Sequence, residues 1–72
     1  ELLEIEVRDN FKSKVIGKNS GQMNLSENII LCCIIRGNEF IFNASNIILE
    51  QNDRLIYLAN KKDVKQIEEL FE

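Results

Sequence analysis

Ile29-Ile30-Leu31-Cys32-Cys33-Ile34-Ile35-Arg36-Gly37-Asn38-Glu39-Phe40-Ile41-Phe42 is the stretch on which the fold turns. From Ile29 to Ile35 no charged or polar side chain interrupts the run. Strand alternation puts Ile29, Leu31, Cys33 and Ile35 on one face and Ile30, Cys32 and Ile34 on the other. Both faces are apolar, so the spacing predicts an interior strand over 27–36 that is covered on both sides. Gly37-Asn38 follows at once and Glu39-Phe40-Ile41-Phe42 comes next. Gly-Asn between two apolar runs is a two-residue hairpin signal, because glycine supplies the positive φ such a turn needs.

Upstream, residues 2–8 alternate strictly. Leu3, Ile5 and Val7 share one side, and Glu4, Glu6 and Arg8 the other, which predicts a half-buried strand with one wet face. Residues 9–13 are a polar connection. Val15, Ile16, Asn19, Met23 and Leu25 fall loosely at helical spacing, with Ser13 as a cap. Gly17 and Gly21 each oppose a helix by about 1 kcal/mol relative to Ala, so the expectation is a short, imperfect helix over 16–23.

Downstream, residues 43–46 read as a polar turn, 47–49 as a short extended piece and 50–53 as a second turn. Residues 54–59 read as a strand. Residues 61–71 close the chain as a helix, with Asn60 as N-cap and Asp63 near its positive end. Val64, Ile67, Leu70 and Phe71 form its apolar stripe. The order is β-α-β-β-β-α. The fold class is α+β, a small, mostly antiparallel sheet with two helices. Two strands that are apolar on both faces ask for more cover than two short helices provide, so a homodimer is expected.

The composition narrows the functions. With 72 residues the chain is one domain, 1–72. Hydrophobic residues make up 44% and charged residues 29%, an ordinary globular balance. The first residue is Glu rather than Met, which leads to the expectation of a fragment of a longer chain. No apolar run approaches the ~20 residues of a membrane span, so direct membrane insertion is not expected. The net charge is −3 and no block of Lys or Arg exists, which argues against a nucleic-acid polymer as partner.

Chemistry is scarce. The chain has no His, the usual acid–base group near neutrality. Cys32 and Cys33 are adjacent, too close for an unstrained disulfide and too few for a zinc site, and read as small buried thiols in a reducing compartment. Glu4 and Glu6, and likewise Glu68, Glu69 and Glu72, read as solvated faces. Asp53 reads as a turn lock, since its carboxylate can accept from backbone amides of the turn before it. No nucleophile has an adjacent base, and Gly17, Gly21 and Gly37 form no phosphate loop. The chain is read as non-enzymatic, with no catalytic residues, no metal and no cofactor. Arg36 stands apart. At a strand end it can offer a planar fork to a phosphate or carboxylate, or pair with Glu39 or Glu50.

Three segments carry a family resemblance: Val15-Ile16-Gly17-Lys18, the strand Ile30-Leu31-Cys32-Cys33-Ile34-Ile35-Arg36-Gly37, and the tail from Asn46 to Leu58 through Asn52-Asp53-Arg54. In this order, with the final helix, they resemble the C-terminal domain of TrkA-type subunits, the TrkA-C or RCK-C domain, over about residues 4–71. Two positions depart. Asn43-Ala44 stands where the family often has Pro, and Asn52 stands where it usually has Gly. Asn tolerates the left-handed region, so the second exchange preserves a turn.

The resemblance implies a cytoplasmic regulatory and dimerisation domain of a potassium transport or channel subunit. It would lie peripheral to the inner face of the membrane through the transport complex. It further implies a cleft between two copies that takes a small anionic ligand such as cyclic di-AMP. By position Ile35, Arg36, Asn38, Ile41 and Asn43 would line that cleft, with Arg36 near phosphate, and Arg36→Ala is expected to abolish nucleotide binding without unfolding the domain. The alternatives are a purely structural dimerisation module and a regulatory domain of another cation transporter or antiporter.

Overall fold

The computed structural model describes residues 1–10 and 14–72. Ser13, the expected helix cap, falls outside the described residues. In chain order the elements are β1 (Leu2–Glu6), a 3-10 turn (Ser20–Gln22), β2 (Ile30–Arg36), β3 (Glu39–Ile41), a second 3-10 turn (Ala44–Asn46), β4 (Arg54–Leu58), a third 3-10 turn (Lys61–Asp63) and α1 (Val64–Leu70). The four strands make one sheet in the order β1-β4-β2-β3. Every pairing is antiparallel. The α+β class and the antiparallel sheet read from the sequence therefore stand, with β2 interior as its double apolarity required.

The hairpin follows its signal. Arg36 pairs with Glu39, so Gly37-Asn38 is a two-residue loop. Gly37 has φ +60° and Asn38 is not among the positive-φ residues, the pattern of a type II′ turn.

The two faces of β2 are a different matter. Leu31 lies opposite Tyr57 and Ile34 opposite Leu55, while Cys33 lies opposite Ile56, with a register shift between Leu31 and Cys33. One extra residue, Cys32, is inserted at this β-bulge and reverses the alternation beyond it. The core face therefore carries Leu31 and Ile34. The outer face carries Ile30, Cys33 and Ile35, which corrects the expected grouping of Leu31 with Cys33 and Ile35. Cys32 is exposed and only Cys33 is buried, so the expectation of two buried thiols holds for one of them.

The core lies on one side of the sheet. Val7, Val15, Met23, Ile34, Ala44, Leu49, Leu55, Tyr57, Ala59, Ile67 and Phe71 form it. Ile67 of α1 and Phe71 just after it enter the core, Leu70 packs half-buried against it and Val64 is half-buried, as the apolar stripe predicted. The Phe71 ring lies 6.0 Å from that of Tyr57. The closing helix differs in its first turn, which is 3-10, and the Asn60 side chain makes no capping bond.

The expected helix over 16–23 shrinks to the single turn Ser20–Gln22. Residues 17–20 instead run beside 47–49: the Gly17 amide donates to the Leu49 carbonyl, the Leu49 amide to that of Lys18, and the Ser20 amide to that of Ile47. Gly17 has φ +88°, which helical backbone excludes. Gly21 is required for a second reason. A Cβ there would lie 3.1 Å from the Ser45 carbonyl carbon and well inside contact distance of its oxygen.

The other side of the sheet is open over most of its area, with only Cys33 and Ile35 buried there among the described residues of β2. Leu2, Leu58 and Ile30 form one row across β1, β4 and β2, and are 69%, 45% and 54% exposed. Phe40, opposite Ile35 on the same face, is 61% exposed, and its ring lies 6.3 Å from that of the equally exposed Phe42. In one chain the doubly apolar sheet is thus covered once.

Candidate ligand-binding site

Arg36 is positioned by the sheet. Ile35 pairs with Arg54, so Arg36, one residue on, meets Asp53, one residue back, where β2 ends and β4 begins. Turn 50–53 delivers Asp53 to that point. The Asp53 amide donates to the Glu50 carbonyl, and Asn52 takes φ +73°, the left-handed conformation that Asn tolerates in place of Gly. The Glu50 amide donates to Asp53 Oδ2 at 2.9 Å, so Asp53 is the turn lock that its position suggested.

The same carboxylate grips the guanidinium in bidentate fashion. Arg36 Nε donates to Asp53 Oδ1 at 2.9 Å and Nη2 to Oδ2 at 2.8 Å. Nη2 also donates to the Ile48 carbonyl at 3.0 Å. Nη1 lies 3.1 Å from Glu50 Oε2. Asp53 is 1% exposed. Burial pushes its carboxyl up, but the Arg36 guanidinium and the Glu50 amide outweigh burial and hold it below the usual carboxylate range. The hydrogen bond to Asp53 in turn raises Arg36 above the ordinary guanidinium value. Of the two partners read for Arg36, Glu50 is engaged. Glu39 sits across the hairpin and adds its charge without an ion pair. Asp53, 17 residues away, is the partner that sequence reasoning missed. The signal that would have found it is the β2–β4 register.

The other candidate residues fall along the same hairpin. Ile35 is buried on the outer face, while Ile41 pairs with Ile34 on the core face and is half-buried. Asn38 is exposed in the loop. Asn43 is exposed and left-handed, with φ +56° and ψ +48°. One chain therefore brings Arg36 and Ile41 to one side and leaves Ile35 on the other. The five residues share a hairpin and the turn after it, not a single-chain pocket.

That turn is tied down by Ser20, which sequence reasoning passed over. Its hydroxyl donates to the Ala44 carbonyl and accepts from the Ile47 amide. Asn19 Nδ2 donates to Asn46 Oδ1. The 3-10 turn that replaces the helix thus fixes the segment leading from β3 towards Ile48 and Arg36. Among the described residues no cluster of His, Cys, Asp and Glu is suited to hold a metal ion.

No protein-family model matches the chain. Individual relatives do. The Trk system potassium uptake protein TrkA of Haemophilus influenzae is 36% identical over 74 residues, an alignment that takes in 100% of this chain and 16% of the relative. The chain thus spans about one sixth of that protein. Among solved structures, an RCK domain determined with cda superposes with a TM-score of 0.77 at 28% identity, covering 99% of this chain and 97% of the other. The C domain of the potassium transport protein KtrA regulator of conductance of K+, in complex with cyclic diadenosine monophosphate, gives a TM-score of 0.76 at 27% identity, covering 94% and 79%. These likenesses are to regulatory domains rather than to an enzyme. The chain is an RCK-C, or TrkA-C, regulatory domain.

Proposed function

We propose that the chain is the ligand-sensing and dimerisation unit of a potassium transport or channel subunit, responsive to cyclic di-AMP or a closely related anionic nucleotide. The observation that carries the reading is the likeness to two solved structures, an RCK domain with cda and an RCK C domain in complex with cyclic diadenosine monophosphate, over nearly the whole chain. Residues 1–72 are read as one TrkA-C-like domain of a longer cytoplasmic subunit that meets the membrane through its transporter partner.

A second copy of the chain is the proposed cover for the outer face. The row Leu2, Leu58, Ile30 and the pair Phe40, Phe42 expose apolar surface that a homodimer would remove from water. Ile35, Arg36, Asn38, Ile41 and Asn43 are assigned to the ligand cleft. Pairing two hairpins would place Ile35, which faces away from Arg36 within one chain, against the other protomer. The mechanism is linkage: a ligand that prefers one dimer geometry shifts the attached pore by its differential affinity and no more.

One observation favours a second reading, a structural dimerisation module. The Arg36 fork is already engaged by Asp53, Ile48 and Glu50. Thermal unfolding separates the two. Cyclic di-AMP at 100 times its dissociation constant is expected to add about 2.7 kcal/mol, with ATP and NADH inactive. A dimer whose midpoint moves with no nucleotide would establish the structural module instead.

A further inference from the structure

The Arg36 guanidinium has two unlike ends. Nε and Nη2 are fixed by a carboxylate that is almost wholly buried and by a backbone carbonyl. Nη1 faces a carboxylate whose side chain is 62% exposed, against 32% for the arginine. The first end cannot be exchanged without leaving Asp53 unpaired in the interior. The second is a surface ion pair, which holds little energy and is easily opened. Glu50 is also tethered by its own backbone amide to Asp53, so its side chain can swing into solvent while turn 50–53 keeps its shape.

We infer that Glu50 is an internal stand-in for the ligand's phosphate, seated on Arg36 Nη1 in the free protein and displaced when the nucleotide binds. This rests on the ligand-sensing reading above and adds to it a competing group built into the same site. It also explains how an acidic chain offers an anion site. With Glu50 in place, Asp53 and Glu50 together bring two negative charges to one guanidinium, and Glu39 lies across the hairpin. The site favours an anion only once the Glu50 carboxylate has left it. A phosphodiester oxygen fits the vacated Nη1 position as a charge-assisted acceptor, while Asp53 keeps the fork oriented from behind.

The test is calorimetric titration of cyclic di-AMP into the wild-type protein, Glu50→Gln and Glu39→Gln at one ionic strength. Glu39→Gln removes the same charge from the surroundings of Arg36 but touches no Nη1 contact. Glu50→Gln is expected to bind about three- to fivefold more tightly than wild type, the scale of one released surface pair, and Glu39→Gln to gain clearly less. Equal gains in both variants would reduce the effect to net charge and overturn the inference. Unchanged or weaker binding in Glu50→Gln, with wild type still binding, would overturn it and leave the sensing role intact. Absence of binding in wild type and Glu50→Gln alike would remove both.

Discussion

Two arginine–carboxylate forks of nearly the same geometry stand in this small domain in unlike surroundings. Arg36 meets Asp53 at 2.9 and 2.8 Å, and Arg54 meets Glu4 at 3.0 and 3.1 Å. Adjacent strand ends bring the first pair together, and β1 against β4 brings the second. The difference is water. Asp53 is sealed under the turn that it locks, whereas Glu4 and Arg54 lie on the open face of the sheet, each close to half exposed. The hydrogen bond from Arg54 lowers the Glu4 carboxyl as Arg36 lowers that of Asp53. Yet an exposed pair trades ion–water contacts for ion–ion contacts at little gain, and a sealed one has no water to fall back on. Bond lengths alone do not say which fork holds the fold; burial does.

The largest effect belongs to the sealed pair. Asp53→Ala frees the Arg36 guanidinium and the Glu50 amide at once, and is expected to cost about 3 kcal/mol in urea unfolding. Arg36→Ala is expected to fall in the same range, because it leaves a buried carboxylate unpaired. That expected cost stands against the sequence-based expectation that Arg36→Ala would spare the fold, and it makes Glu50 the cleaner position for probing the site. A loss as small as that of an ordinary surface substitution, within ~0.5 kcal/mol, would break the comparison.

A smaller effect is expected on acidification. The folded Asp53 pKa lies below that of an unfolded Asp, about 3.9. Its contribution is therefore complete above that pH and is lost as pH falls through the folded value. Thermal midpoints followed from pH 6 down to pH 2 should drop steeply below about pH 4 in wild type, with a shallower fall in Asp53→Asn, which starts lower. Parallel curves would show that Asp53 does not carry the acid limb.

The smallest effect is expected on the open face. At a concentration low enough to keep the chain monomeric, Glu4→Gln should leave the thermal midpoint within measurement scatter, and any difference should vanish in high salt, where exposed charges are screened. A salt-resistant loss matching that of Asp53→Ala would mean that the open face is sealed in solution, and would point to the second copy proposed to cover it.

Much of this was legible in the residues. Gly37-Asn38 announced its hairpin because few residues accept the φ that it needs. Asn52 held a glycine's place for the same reason, and the alternation of residues 2–8 gave β1 with its wet side correctly assigned. The helix expected over 16–23 was overread. Val15 and Met23 are buried, but by a segment that pairs with 47–49, and burial leaves the same apolar mark whichever backbone produces it. The β-bulge at Cys32 was hidden because seven apolar residues in a row look alike on either face; without polar markers nothing records where the alternation slips. The Arg36–Asp53 fork was hidden because it depends on which strands become neighbours. Each residue was singled out, and only the β2–β4 register joins them.

The most direct test of the central claim is an NMR titration of the isotopically labelled protein with cyclic di-AMP, amide by amide. The account predicts saturable shifts concentrated in the hairpin and following turn, residues 35–43, with the Glu50 amide responding as its side chain leaves Arg36, and with α1 silent. A spectrum unchanged at millimolar nucleotide, or shifts confined to α1 and the opposite side of the sheet, would contradict it.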